Sequence, residues 1–164
     1  MGRGVIPLSK GVKMNALEYA VSSLNATKKL AEVQLEIVEG DSNLADLQGF
    51  ITGAKRVINT LDQVGYTLEL AEHVLKIENY SDDEIIKFDF EIDAFKTEER
   101  WQDFQSKLDE KIAKKKDFLF YEARKGRDLA YIQGWRKAIF FIHEIFDLIQ
   151  EKAKELKKAP TFEF

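Results

Sequence analysis

The chain has 164 residues, of which 45% are hydrophobic and 33% are charged, and it contains no cysteine. This apolar content is sufficient for a buried core and argues against wholesale disorder. The lack of cysteine excludes disulfides, a thiol nucleophile and metal sites built on thiolates. A net charge of −4 argues against a surface that binds nucleic acid throughout. No apolar run approaches the length of a membrane span, so we expect a soluble, intracellular protein with no membrane partner.

Residues 1–12 are predicted to form an extended basic arm. Regular structure is disfavoured there by Gly2, Gly4, Pro7 and Gly11. From Met14 to Glu39 neither glycine nor proline occurs, and apolar residues recur at steps of three and four with little interruption. This spacing predicts a first helix that ends just before Gly40.

A second helix is predicted from Leu44 onward by the same spacing. Gly65 is a candidate end for it, but the apolar period continues across this glycine to Leu75. Because one internal glycine costs only about 1 kcal/mol, we expect the helix to run to about Asn79. The short connection makes the two helices antiparallel neighbours, so residues 13–79 are predicted to be a first hairpin.

Residues 80–96 are a predicted connector for which the sequence offers two conformations. Apolar and charged side chains alternate over 86–93, as in a half-buried strand. The same stretch fits a helical spacing that starts at Ile85, and Ser81 followed by acidic residues is typical of a helix N-terminus. A single short strand has no evident partner in this chain, so we favour a short helix.

Two further helices, separated by Gly126, are predicted to form a second hairpin at residues 97–158. The last helix has a wide apolar face that includes Phe140 and Phe141, so we expect it to be buried on more than one side. Residues 159–164 are predicted to be a short tail that follows it.

An internal repeat relates the two predicted hairpins. Asn43–Phe50 (NLADLQGF) matches Asp128–Trp135 (DLAYIQGW) at four of eight positions, at an offset of 85 residues. The same offset superposes the apolar positions of the two second helices, and it places Gly65 on Gln150, inside an unbroken predicted helix. We therefore expect two related hairpins that pack with approximate two-fold symmetry.

The Gln-Gly pair in each copy is a candidate packing site. Glycine is unfavourable inside a helix, and close approach of another backbone or a bulky ring would account for it. We expect Gln48 and Gln133 to form a hydrogen bond across the hairpin or between the copies. The simpler alternative is that both pairs are ordinary helix crossing points. The predicted interaction residues are Gln48, Gly49, Phe50, Gln133, Gly134, Trp135, Phe140 and Phe141.

Few residues offer metal-binding chemistry. His73 lies four positions after an acidic residue and His143 four positions before one, so each pair can present two ligands from one helix face. Ordinary positions at the surface or edge of a helix are the simpler explanation for both histidines. The sequence therefore predicts no catalytic residue, no metal and no cofactor.

One enzyme class is retained as an alternative. All-helical nucleotide pyrophosphohydrolases bind magnesium through a Glu-x-x-Glu pair, which occurs here at Glu36–Glu39 and Glu69–Glu72. That signature also needs a matching Glu-x-x-Asp pair in a later helix, and without it the match is incomplete.

Basic residues crowd the connection within the second hairpin. The candidate phosphate contacts there are Arg124, Lys125 and Arg127, which follow a run of lysines at 114–116. Such a cluster would allow one end of the hairpin to bind nucleic acid. A solvated helix face is the simpler interpretation, because acidic residues are interspersed.

The segment Glu122–Arg136 resembles a helix of short helical proteins from tailed bacteriophages. There, Ala-Arg-x-Gly precedes an apolar-Gln-Gly-apolar-Arg stretch, and this chain has EARKGRDLAYIQGWR. The first half of the chain departs from the pattern, because Ile51 occupies the position of the final arginine. The resemblance implies a role in a virion, in assembly or in host takeover, and it carries over no catalytic residue.

These observations predict an all-α fold in which two related antiparallel hairpins form an elongated four-helix bundle. The predicted function is that of a non-enzymatic structural or interaction protein, which oligomerises or binds a larger partner as a phage virion or assembly component. Its expected location is the cytoplasm, with incorporation into a virion. The alternatives are a packaging or regulatory factor that contacts nucleic acid and a magnesium-dependent nucleotide pyrophosphohydrolase.

Overall fold

The computed structural model describes residues 14–71, 76–122 and 126–158, and the regular secondary structure in this part of the chain is all helical, with no strand. The all-α prediction is thereby confirmed. The predicted arm (1–12) and tail (159–164) lie outside the described residues. The helices are α1 (Ala16–Gln34), α2 (Asp41–Gln63), α3 (Asp82–Lys96), α4 (Glu99–Glu122) and α5 (Gly126–Lys158), and a short 3-10 helix spans Ile77–Asn79.

The α2 and α5 helices form the most extensive helix pair, and α5 contacts each of the other four helices. The core contains four large, fully buried aromatic side chains, which are Trp101 and Phe104 of α4 and Trp135 and Phe146 of α5. Burial of aromatic rings of this size contributes strongly to stability because each removes a large apolar area from water. The last helix is therefore the central element around which the rest of the fold is arranged.

The first helix is shorter than predicted. Asn15 caps its N-terminus in a capping box with Glu18, and the Glu91 carboxylate of α3 accepts a further bond from the Ala16 N–H at 2.8 Å. The helix ends at Gln34 rather than near Glu39, and residues 35–37 form a turn. Beyond Ala31, Val33 and Ile37 are exposed at 65% and 77%, and only Leu35 packs against the core.

The predicted continuation of the second helix through Gly65 is wrong. Gly65 has a φ of +102°, which L-residues with side chains rarely adopt. Its N–H donates to the carbonyl oxygen of Asp62, and the next N–H, that of Tyr66, donates to the carbonyl oxygen of Leu61. This pair of bonds is the Schellman motif, which terminates a helix and satisfies its last carbonyl groups.

An extended segment follows and packs along α1. The Ala71 N–H donates to the buried Ser22 hydroxyl, and the Glu69 N–H donates to the Glu18 carboxylate, each at 2.9 Å. Side chains of α1 thus replace the backbone acceptors that a continued helix would have supplied. The first predicted hairpin consequently ends its second helix some sixteen residues before Asn79.

The predicted connector is a core helix. Ser81 forms a capping box with Glu84 at the start of α3, and the buried residues are Ile85, Phe88, Asp89 and Ile92, at steps of three and one and then three. Phe90 is 65% exposed, so the two-residue alternation does not describe what is buried. The strand alternative is therefore wrong, and five helices rather than four contribute to the bundle in the described part of the chain.

A polar network joins α3 to the end of α5. The Lys157 ammonium contacts the Asp89 carboxylate at 2.6 Å, and the Gln150 amide donates to Asp89 and Asp93 at 3.0 Å. Asp89 is thus partnered although it is only 8% exposed. A buried carboxylate needs such partners, so the network explains why an acidic residue is found on the inner face of α3.

Candidate functional site

The glycines of the two Gln-Gly pairs lie where α2 and α5 cross. A Cβ atom on Gly49 would overlap the carbonyl oxygen of Tyr131 and lie 3.0 Å from the Trp135 nitrogen. A Cβ atom on Gly134 would likewise overlap the carbonyl oxygen of Asp46 and lie 3.0 Å from the Phe50 nitrogen. Each glycine therefore allows the backbone of the other helix to approach as closely as it does.

The environments of the two glycines correspond residue by residue. Tyr131 is 85 positions after Asp46, and Trp135 is 85 positions after Phe50, which is also the offset between the glycines. Since Gly49 faces Tyr131 and Trp135, and the later Gly53 faces Trp135 and Ala138, the two helices run in the same general direction. Equivalent positions of the two segments thus face each other across the crossing.

Gly53 and Ala138 extend the crossing by one helical turn, and the sequence analysis missed them. A Cβ atom on Gly53 would lie 2.7 Å from the Trp135 oxygen and 2.9 Å from the Ala138 Cβ. Gly49 and Gly53 form a Gly-x-x-x-Gly pattern, and Gly134 and Ala138 form its Gly-x-x-x-Ala counterpart. Small residues four apart on a helix are the sequence signal for close helix packing that could have identified these two positions.

The hydrogen bonds predicted for the two glutamines are not formed among the described residues. Gln48 and Gln133 are both exposed, and neither forms a hydrogen bond within the part of the chain that is described. Each precedes its glycine by one residue, which on a helix rotates a side chain by about 100° away from the crossing. Phe50 and Trp135 follow the glycines and are buried, at 5% and 1% exposure.

The two aromatic residues at the middle of α5 differ in environment. Phe141 is half-buried and its ring packs edge-on against Phe50 at a centroid distance of 6.2 Å. Phe140 is 39% exposed, so the expectation that α5 buries it is not met in this chain. One side of α5 therefore carries large apolar side chains at its surface.

Phe140 lies in a groove of about 450 Å³ along α5, which we call the α5 groove. Its described lining residues are Leu129, Ile132, Gln133, Arg136, Lys137, Phe140 and Glu144. Leu129 is 48% exposed, so two large apolar side chains stand in the groove among charged groups of both signs. An apolar floor with a charged rim is the usual composition of a protein-binding surface.

The candidate phosphate contacts are not tested by the structure. Arg124 and Lys125 lie outside the described residues. Arg127 belongs to α5, but its side chain is likewise outside the described part of the molecule.

The Glu-x-x-Glu pair at Glu36 and Glu39 is not placed as a magnesium site requires, since both lie beyond the end of α1. Glu36 and Glu39 are exposed at the turn after α1 and Glu69 lies in the extended segment, while Glu72 is outside the described residues. A Glu-x-x-Asp pair that the sequence analysis missed, Glu144 and Asp147, is exposed on α5. No three acidic or histidine side chains among the described residues come together as metal ligands.

Only one of the two histidines considered as metal ligands lies in the described part of the chain. His73 lies outside the described residues, and His143 packs its ring edge-on against Trp101 at 5.8 Å. Burial lowers the pKa of His143 below its usual 6.5, the nearby Lys96 adds to this effect, and Asp147 and Asp109 oppose it. His143 is thus a partly buried core-edge residue rather than a surface ligand.

We expect His143 to make the protein less stable in mild acid. The unfolded chain takes up a proton on this residue as the pH falls below about 6.5, whereas the folded chain does so only at lower pH. Stability should therefore decrease as the pH falls through this range. Urea unfolding at several pH values should show a smaller decrease for His143→Gln than for the unmodified protein, and equal decreases would contradict the prediction.

No helix in the described part of the chain combines the length and the apolar composition of a membrane-crossing segment.

Comparison of the chain with protein-family models, with curated proteins and with solved structures gives no match in any of the three.

Proposed function

We propose that the chain is a non-enzymatic structural or interaction protein that associates with a second copy of itself through the α5 groove. The observation that carries this proposal is the exposure of Phe140 and Leu129 in a groove with a charged rim. Exposed apolar groups of this size, arranged together, are typical of surfaces that another protein covers.

A second copy fits this surface because its charges are self-complementary. Arg136 lies four positions before Phe140 and Glu144 four positions after it, so they are equidistant from the exposed ring. If two α5 helices pack antiparallel with Phe140 on a two-fold axis, Arg136 of each copy faces Glu144 of the other. A two-fold interface requires this kind of self-complementary surface.

The proposal has two further parts, an internal duplication of the chain and a cellular location. The support for duplication is the residue-by-residue correspondence at the crossing of α2 and α5, together with the matching segments Asn43–Phe50 and Asp128–Trp135. The location, a phage virion or assembly intermediate inside the host cytoplasm, rests on the resemblance of Glu122–Arg136 alone. A dimer that presents two copies of each surface would suit an ordered assembly.

The test is the dependence of molar mass on concentration, measured by light scattering after size exclusion. We expect the unmodified chain to dimerise and Phe140→Asp to remain monomeric, since a carboxylate on the axis would meet its own copy. Phe90→Asp is the matched control, because Phe90 is equally a large exposed ring but belongs to α3. A chain that stays monomeric at every concentration would refute the proposed association.

The pairing itself is tested by charge reversal. Arg136→Glu or Glu144→Arg alone should weaken the dimer several-fold, because each places like charges opposite each other. The double variant Arg136→Glu/Glu144→Arg should restore the association. Failure of the double variant to recover would count against the antiparallel arrangement.

A further inference from the structure

A second concave surface includes Trp135 of the crossing, and its other described lining residues are basic. It has a volume of about 240 Å³ and is lined by Arg56 of α2, by Lys111, Lys114 and Lys115 of α4, and by Trp135 of α5. We call it the basic pocket. No carboxylate is among its described lining residues, which carry four basic groups.

Most of this charge is not neutralised by neighbouring groups. Arg56, Lys111 and Lys114 form no ion pair with any carboxylate in the described ranges. The ammonium group of Lys115 lies 5.7 Å from the centroid of the Trp135 ring and 5.4 Å from that of Tyr131. Like charges held together in this way attract an anion because its binding relieves their repulsion.

The indole nitrogen of Trp135 gives an independent indication of a ligand. Trp135 is only 1% exposed, and its Nε1 is the one buried side-chain polar atom in the described residues that has no hydrogen-bond partner. An indole N–H can only donate, and buried donors in folded proteins nearly always have an acceptor. The acceptor is therefore missing from a side chain that lines the basic pocket.

We propose that the basic pocket binds a short polyphosphate group, either free or as part of a nucleotide, with the Trp135 N–H as one of its donors. Phosphate oxygens supply the acceptor that Trp135 lacks and a negative charge for Arg56, Lys111 and Lys114, which form no ion pair in the described ranges. The cations come from two helices and line an open space of about 240 Å³, which accommodates a chain of phosphates as well as a single one. A guanidinium and several ammonium groups are the side chains that bind such groups in proteins.

This site is independent of the proposed dimer, because the α5 groove and the basic pocket share no lining residue. It also uses residues other than the sequence-derived candidates Arg124, Lys125 and Arg127. Loss of one property should leave the other intact, so each proposal can fail alone.

The first experiment is titration with inorganic tripolyphosphate, followed by calorimetry and by the indole N–H signals in ¹⁵N nuclear magnetic resonance. The chain has two tryptophans, so each indole signal can be assigned with one substitution. We expect binding that shifts the Trp135 signal and leaves that of Trp101 in place. The absence of binding, or binding without a shift of the Trp135 signal, would overturn the proposal.

The second experiment uses variants with matched controls. Lys111→Gln/Lys114→Gln should weaken tripolyphosphate binding by about tenfold or more, since each removes a charged contact. Arg56→Gln should weaken it, and Lys55→Gln, which removes the exposed charge next in sequence, should not. Trp135→Phe keeps an aromatic ring but removes the donor, and it should weaken binding without abolishing it. If Lys55→Gln has the same effect as Arg56→Gln, the attraction is only that of a basic surface and the site is refuted.

The source of the phosphates is resolved by comparing ligands. Tighter binding of a nucleoside triphosphate than of tripolyphosphate would identify a nucleotide, and equal binding would identify the phosphate chain as the recognised group. Binding of a single-stranded oligonucleotide without binding of either small ligand would refute the proposal and favour a nucleic-acid surface.

Discussion

Replacing Gly49 by alanine is expected to destabilise the protein by about 3 kcal/mol or more, although alanine is preferred to glycine inside a helix by about 1 kcal/mol. The added Cβ atom would overlap the Tyr131 carbonyl oxygen, which belongs to the backbone of α5 and cannot rotate away. The helices must then separate, and the buried contacts along the crossing are weakened together. Gly134→Ala should have a similar effect through the carbonyl of Asp46.

Urea unfolding of the two single variants and of the double variant measures this effect. The double variant should be less destabilised than the two single effects predict together, because a crossing already opened by one methyl group accommodates the second. Gln48→Ala is the matched control: it introduces alanine at an exposed position of the same helix, and its stability should change little. A Gly49→Ala protein as stable as the unmodified one would contradict the close crossing.

Truncation of Trp101 to alanine is the second large effect that we expect, with a loss of about 3–5 kcal/mol of the free energy of unfolding. Its ring joins α4 to α5, with centroid distances of 5.0 Å to Phe104, 5.6 Å to Phe146 and 5.8 Å to His143. Removal of the Trp101 ring would leave a large cavity between α4 and α5. For a single domain of ordinary stability, this loss is a large part of the total.

The same urea experiment checks this prediction, with Phe90→Ala as its control. Phe90 is also aromatic, but it is 65% exposed, and the Lys157 ammonium lies 5.1 Å from the centroid of its ring. Its removal should change stability by less than about 1 kcal/mol. Comparable losses for the two variants would mean that burial does not decide their contributions.

A second readout follows from the contact between Trp101 and His143. If the ring that covers the imidazole is removed, water gains access to it and its pKa should rise toward the usual value. The acid-sensitive component of stability that we attribute to His143 should then be smaller in Trp101→Ala. The contact between Trp101 and His143 thus connects the stability loss of Trp101→Ala with the acid sensitivity attributed to His143.

The sequence was sufficient to predict the helices and several of their ends. Regular spacing of apolar residues predicted four of the α-helices, the fifth was favoured over a strand that had no partner, and Ser81 followed by acidic residues marked the start of α3 correctly. These signals are local, since a cap or a stripe depends on residues within one or two turns. The glycines of the Gln-Gly pairs were also identified as positions that needed a close neighbour.

The errors arose where a local pattern was extended by a long-range argument. The apolar period continues past Gly65, and the repeat aligns Gly65 with the interior of α5, so both arguments favoured an unbroken helix. The two regions are in fact unlike: one ends in a Schellman turn whose next residues bond to α1, whereas the other continues as helix. The segment after Gly65 is held by hydrogen bonds to Ser22 and Glu18 of α1, and a local sequence pattern does not reveal such distant partners.

The basic pocket was only partly accessible to sequence reasoning for the same reason. Lys111, Lys114 and Lys115 were recognisable as a cluster on one helix. Arg56 and Trp135 are separated from them by long stretches of chain and join them only through the packing of α2 and α5 against α4. Which helices become neighbours is a property of the whole core, so the complete set of lining residues required the structure.

The crossing of α2 and α5 also bears on how quickly the chain folds. It joins positions about 85 residues apart, so a long loop must close before any contact at the crossing can form. Proteins dominated by such distant contacts fold more slowly than helical bundles built from consecutive neighbours. Individual helices can form early, but the central pair is available only after most of the chain has been synthesised, and the face of α2 that packs on α5 stays uncovered until then.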